Sequence, residues 1–250
     1  MTIDSHHHLW HYTPDEYGWI DDSMAVIRRD FLPVDLEDEL CRAGVDGAVT
    51  VQARQSLAET TWLLGLAEEH SVMRGVVGWL PLASPDIDRH LAVVGSHPKL
   101  KGIRHVVQDE PDDSFMLGDA FNRGIKAMAT YGLVYDILIF ERHLACATRF
   151  VDLHPNQVFV LDHIAKPKIR DRVVEPWARD LRELAKRDNV CCKVSGMVTE
   201  AGPVSWTPAD LAPYFDTVFD VFGPERLLFG SDWPVCLVGC EYGRWLDIVR

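Results

Sequence analysis

Three short stretches hold most of the side chains that could do chemistry. The first, Ile3-Asp-Ser-His-His-His-Leu-Trp10, sets three imidazoles in a row. On a β-strand side chains alternate, so His6 and His8 share one face and His7 takes the other. Two neutral imidazoles on one face can bind a single metal ion. A histidine run can also be the remnant of an affinity tag. A tag usually lies outside the fold, whereas this run continues directly into Leu9-Trp10. The second stretch, Phe229-Gly-Ser-Asp-Trp-Pro234, offers Asp232 as a metal ligand, as a base toward water, or as both. Its competing reading is a turn or a helix cap. In the third, Val160-Leu-Asp-His-Ile-Ala-Lys-Pro167, His163 could polarise a carbonyl or bind metal, with Asp162 or a backbone carbonyl orienting its ring.

Chemistry of this kind needs a scaffold that brings distant stretches together. Short apolar runs, rich in β-branched or aromatic residues, fall near 1–6, 45–52, 73–80, 100–107, 132–138, 157–163, 189–196 and 226–232. They have the length of buried parallel strands. Helical patterns separate them, among them Leu57 to His70, Trp177 to Arg187, and Pro208 to Phe222 behind a Thr207 N-cap. Eight such repeats in 250 residues predict an α/β chain folded as one (β/α)₈ TIM barrel spanning 1–250. A doubly wound sheet is the alternative, and no Gly-rich phosphate loop follows any strand to favour it. In a barrel, functional groups gather at the C-terminal strand ends. His6, His8, His163 and Asp232 fall there, and so do Gln52, Arg104, His105, Asp136, Lys193 and Ser195. Buried polar groups at one strand end are costly unless they bind a ligand or one another. Residues 9–33 form a long link, read either as a functional lid or as an aromatic plug. Only 18 residues follow the last of these apolar runs, so the barrel is expected to be truncated after strand eight.

Composition narrows the partners. The formal net charge is -13, from 38 acidic and 25 basic residues, which argues against nucleic acid and anionic membranes. An anionic small molecule is not excluded, because a pocket can be locally basic. The six cysteines show no CxxC spacing and read as buried or free thiols of a reducing compartment. The N-terminus does not read as a signal peptide, and no stretch approaches the roughly 20 apolar residues of a membrane span. The expectation is a cytoplasmic protein with no nucleic-acid or membrane partner. A homo-oligomer is left open.

Taken together, these motifs resemble the amidohydrolase superfamily, and within it the amidohydrolase-2 group of sugar-acid lactonases and related metal-dependent hydrolases. The resemblance rests on Asp4-x-His6-x-His8-x-Trp10, Val51-Gln52-Ala53, Gly102-Ile-Arg-His105, Asp162-His163-x-x-Lys166-Pro167, Cys192-Lys-Val-Ser-Gly196 and Gly230-Ser-Asp-Trp-Pro234. It implies that His6, His8 and Asp232 are metal ligands, that Asp232 activates water, and that His163 acts beside it. It further implies Gln52, Arg104, His105 and Lys193 as substrate contacts. Strand four ends in Arg104-His105 instead of a bridging ligand, and strand five offers Asp136 without a histidine. One divalent cation at most, Zn²⁺ by preference, is expected, and catalysis without metal stays open. The implied reaction is opening of a small sugar-acid lactone in carbohydrate metabolism. Asp232 would take a proton from water and return it to the ring oxygen. The carbonyl would be polarised by the metal, or without it by His163 and Arg104. A decarboxylase of an unsaturated or aromatic acid, and a barrel that binds a ligand without turnover, are the alternatives.

Overall fold

A computed structural model describes residues 1–202 and 206–250. Strands β1 (Ile3–His7), β2 (Gly47–Val51), β3 (Met73–Gly78), β4 (Leu100–Val106), β5 (Val134–Leu138), β6 (Phe159–Leu161), β7 (Val190–Val194) and β8 (Leu227–Phe229) form one sheet in sequential order. Every neighbouring pair is parallel. Helices α1 (Pro33–Ala43), α2 (Leu57–Glu69), α3 (Ile87–Val94), α4 (Asp119–Ala129), α5 (Leu144–Asp152), α6 (Trp177–Leu184), α7 (Met197–Ala201), α8 (Pro208–Phe222) and α9 (Tyr242–Val249) follow the strands. Their apolar faces cover the sheet through residues such as Leu36, Leu63, Leu91, Ile125, Phe150, Leu181 and Val218.

The sheet closes where β1 meets the segment after β8. Asp232 N donates to His6 O at 2.8 Å, and His8 N donates to Trp233 O at 2.7 Å. Ser5 Oγ donates to Phe229 O at 2.6 Å. The buried Asp4 carboxylate ties the same seam, accepting from Ser231 N at 2.9 Å and from the Tyr242 hydroxyl at 3.2 Å. Trp245 Nε1 donates to Gly230 O at 2.9 Å. The segment after β8 thus carries the contacts that join the two ends of the sheet. Tyr242 and Trp245 of α9 reach the seam, and both are fully buried.

Every expected strand is present, but β6 and β8 are three residues long, so Asp162, His163 and Asp232 stand just beyond them. The reason is backbone conformation. His163, Ile164, Ala165 and Lys166 have φ of 53°, 50°, 62° and 47°, and Asp232 has φ of 57°. Left-handed residues cannot continue a parallel ladder. The link between β1 and α1 combines the two readings given to it. Trp10 and Phe31 pair through their backbones, pack at 5.6 Å and are fully buried, while Trp19 is 43% exposed at the barrel mouth. All six cysteines are free. Among the described residues no helix is long and apolar enough to cross a membrane.

Candidate active site

The interior of the barrel near the strand ends is ionic. β4 contributes Arg104, β5 Asp136 and β7 Lys193, and the residue after β6 contributes Asp162; none is more than 4% exposed. Arg104 Nη1 donates to Asp162 Oδ2 at 3.0 Å, and Arg104 Nη2 donates to Gln52 O. Lys193 Nζ pairs with Asp136 and lies 3.0 Å from Asp162 Oδ1. Two cations therefore meet two carboxylates, which is the condition for keeping charges in an interior. Burial would raise the Asp162 carboxyl, but Lys193, His6 and Arg104 outweigh it and hold it well below the carboxylate range.

His6 rests on this layer, with Nδ1 3.2 Å from Lys193 Nζ and 3.4 Å from Asp162 Oδ1. Burial pushes its imidazole well below the ordinary value, Lys193 and His163 push the same way, and Asp162 opposes them. His6 Nε2 lies 3.2 Å from His8 Nε2. His8 Nδ1 is 2.8 Å from Val51 O. A carbonyl only accepts, so the His8 proton sits on Nδ1 and Nε2 presents a bare lone pair. His7 points the other way, to Thr50 Oγ1 at 2.8 Å.

Asp232 completes the group. Its Oδ1 lies 3.4 Å from His8 Nε2, 3.7 Å from His6 Nε2 and 3.9 Å from His163 Nε2. Burial would raise this carboxyl, but the neighbouring His163, His8 and His6 rings together hold it below the usual range. The ligand atoms of His6, His8 and Asp232 lie within 4.8 Å of one another, and those of His6, Asp162 and His163 form a second, overlapping set. Two imidazoles and a carboxylate are a catalytic-zinc donor set.

His163 owes its position to its neighbours. Nδ1 lies 2.8 Å from Ser195 Oγ, so Ser195, rather than Asp162 or a backbone carbonyl, orients the ring. A Cβ on Gly196 would sit 2.7 Å from His163 Nδ1, so that position must be glycine for the ring to fit. In the tautomer where the Ser195 hydroxyl donates to Nδ1, Nε2 carries the proton and stands 3.9 Å from Asp232 Oδ1. Burial lowers this imidazole to about 4, with Asp232 opposing, so the ring is neutral at pH 7.

Above the group opens a cavity of about 390 Å³, lined by His8, His163, Arg104 and Asp232 on its floor and by Glu16, Trp19, Arg54, Gln55, Gln108 and Asp109 toward the rim. That volume suits a small ligand.

The amidohydrolase family model matches residues 3–250. The chain belongs to the amidohydrolase family. It is 40% identical over 250 residues to the L-fucono-1,5-lactonase of Burkholderia ambifaria, covering 98% of this chain and 85% of that one. To the L-fucono-1,5-lactonase of Burkholderia multivorans it is 38% identical over 260 residues, covering 100% and 88%. A crystal structure of a Burkholderia multivorans amidohydrolase with bound zinc superposes with a TM-score of 0.95 at 39% identity, covering 100% of this chain and 90% of that one.

Against this amidohydrolase site, the expected residues divide. The structure brings His6, His8, His163, Arg104 and Asp232 together. It does not bring Gln52, His105 or Lys193 into the cavity lining. Arg104 and His105 are consecutive on β4, so only one can face inward, and the arginine does. His105 instead meets Glu110 at 2.6 Å and stacks on Phe115 at 4.9 Å. Lys193 is consumed by two carboxylates below the cavity, and Gln52 Nε2 is directed at Arg104 O at 3.3 Å. The sequence reading missed Glu16, Trp19 and Arg54. Arg54 stands two residues past Gln52, a spacing that could have marked it, whereas Glu16 and Trp19 lie on an irregular link without periodicity.

Proposed function

We propose that this chain hydrolyses a small sugar-acid lactone, opening the ring at its carbonyl. The observation that carries the reading is the convergence of three imidazole Nε2 atoms on Asp232 Oδ1, at 3.4, 3.7 and 3.9 Å, on the floor of the cavity. Relatives 38% and 40% identical over nearly the whole chain are named L-fucono-1,5-lactonases, which makes that lactone the first substrate to test.

Asp232 is anionic at neutral pH, and its Oδ2 is assigned the proton of an attacking water. The water oxygen bonds to the lactone carbonyl carbon, and negative charge moves to the carbonyl oxygen. His163 Nε2–H and the Arg104 guanidinium face that side of the cavity and stabilise the charge. The tetrahedral centre then collapses, the bond from carbon to the ring oxygen breaks, and Asp232 returns its proton to that oxygen. The products are a hydroxyl and a carboxylic acid, which loses its proton to solvent. His6, His8 and Asp232 would hold a single divalent ion, zinc on the precedent of the zinc-bound relative. Such an ion polarises a carbonyl and lowers the pKa of a bound water. The lone pair that Val51 leaves on His8 Nε2, aimed at His6 Nε2, fits that role.

A decarboxylase would use the same His6, His8 and Asp232, but the relatives at this identity are lactonases. The purified protein is to be assayed with a pH indicator against L-fucono-1,5-lactone and other aldonolactones. Proton release well above the buffer rate is expected. No acceleration across the panel would overturn the proposal. Metal analysis should find at most one divalent ion per chain.

A further inference from the structure

Three basic side chains line the cavity: Arg54, Arg104 and Lys166. Two are spoken for. Arg54 pairs with Glu16, and Arg104 donates to Asp162 at 3.0 Å. Lys166 has no ion pair among the described residues. Glu200 and Asp232 are the first opposite charges to act on it, neither within ion-pair distance, and its ammonium stands 5.6 Å from the Phe140 ring centroid. An ammonium in a cleft without a counter-ion is a costly arrangement unless a ligand supplies the charge.

Its backbone adds a second cost. Four consecutive non-glycine residues, His163 to Lys166, are left-handed. Each such residue costs about 1–2 kcal/mol, and runs of them are not made without a reason. The turn is held by Lys166 N donating to His163 O at 2.8 Å and by Trp177 Nε1 donating to Ile164 O at 2.7 Å. With a hydrogen bond across three residues, the first and fourth side chains eclipse. The strain therefore sets the Lys166 ammonium and the His163 ring on one face, toward one cavity, with Asp232 in the same wall.

We propose that Lys166 binds the carboxylate of the ring-opened hydroxy acid, and before it the oxyanion from which that carboxylate forms. This rests on the lactonase reading above. The uncharged lactone gives a cation little to hold, whereas the tetrahedral oxyanion and the product both carry negative charge beside it. A group placed this way favours the transition state over the ground state, at the expense of slower release of product.

The test compares L-fuconate with L-fucitol by isothermal titration calorimetry at pH 7.5, on protein of measured metal content. The two probes share their hydroxyls and differ in a carboxylate against an alcohol. The wild-type protein is expected to prefer fuconate by about tenfold or more, the size of one charge-assisted hydrogen bond. Lys166→Met should cut that preference by about tenfold, through fuconate alone, and Lys166→Arg should keep most of it. A wild-type protein that binds both probes equally overturns the proposal without any variant. So does a folded Lys166→Met protein whose preference stays within about twofold of the parent. Lactone turnover, measured in parallel, reads the other proposal. Preference for fuconate without turnover would remove the lactonase reading and keep the anion site, and turnover without preference would do the reverse.

Discussion

The polar interior of this barrel has two storeys that obey different rules. In the lower one, Arg104, Lys193, Asp136 and Asp162 satisfy one another, and three of them are closed off from the cavity. In the upper one, His8, His163, Lys166 and Asp232 face open space with lone pairs and charges directed outward. The lower storey spends its charges on position, holding His6 from below by Lys193 and Asp162. The upper storey keeps its polar atoms for a ligand. The difference teaches that buried charge alone does not mark a catalytic group in this molecule. Direction toward the cavity does.

Substitutions can break this division, and the largest effect on rate is expected in the upper storey. Asp232→Asn keeps size and removes the basic oxygen, so lactone hydrolysis should fall about 10²–10⁴-fold while urea unfolding stays near that of the parent. If Asp232 were a structural cap, Asn would cap as well and the rate would stay within about threefold. Lys193→Met should show the opposite pattern. It strands Asp136 in the interior and leaves Asp162 with Arg104 alone, and breaking such a pair costs about 3–5 kcal/mol of stability. Urea denaturation checks it, and a loss under about 1 kcal/mol would show that the layer is not a structural unit.

A pH series sharpens the contrast. Burial lowers the His163 imidazole to about 4 and the His7 imidazole to about 3. A histidine lowered in the folded state stabilises it above the unfolded value of about 6.5, and that stability is lost as pH falls through the folded value. For His163 the loss is about 3 kcal/mol, complete below pH 4. Asp4 works against it, because burial raises its carboxyl to about 6, so its ionisation destabilises the fold above that pH by about 3 kcal/mol. Asp136, raised to about 6, and Glu59, raised to about 7, act in the same sense as Asp4, so the His163 part is read by difference. In metal-free protein the stability of wild type relative to His163→Gln, read by thermal melting, is expected to fall by about 3 kcal/mol between pH 6.5 and 4, and a difference that does not change over that range would show that the ring is charged in the fold. The smallest effect on rate belongs to His105→Gln, because His105 sits outside the cavity with Glu110 and Phe115. Its lactonase activity should stay within about threefold of the parent, and a larger loss would bring His105 back into the site.

The fold was largely legible in the sequence. Buried parallel strands read as short apolar runs, and eight of them alternating with amphipathic helices leave few architectures open. His6 and His8 were legible for the same reason, since a period of two puts them on one face whatever surrounds them. Asp232 and His163 could be placed at strand ends by counting.

What only the tertiary structure decided was direction. On β4 the sequence offers Arg104 and His105 with equal claim, and alternation allows only one inward; the ion pair with Asp162 selected the arginine. Lys193 looked like a ligand contact until Asp136 and Asp162, from two other strands, were seen to take its charge. Ser195 and Gly196 were seen to shape His163 only because a loop after β7 lies against the turn after β6. Residue type and period are properties of a single strand and can be read along the chain. Partnership between charges from different strands is settled by burial, which compels each ion to find an opposite one within a few ångströms, and those distances exist only after the barrel has closed.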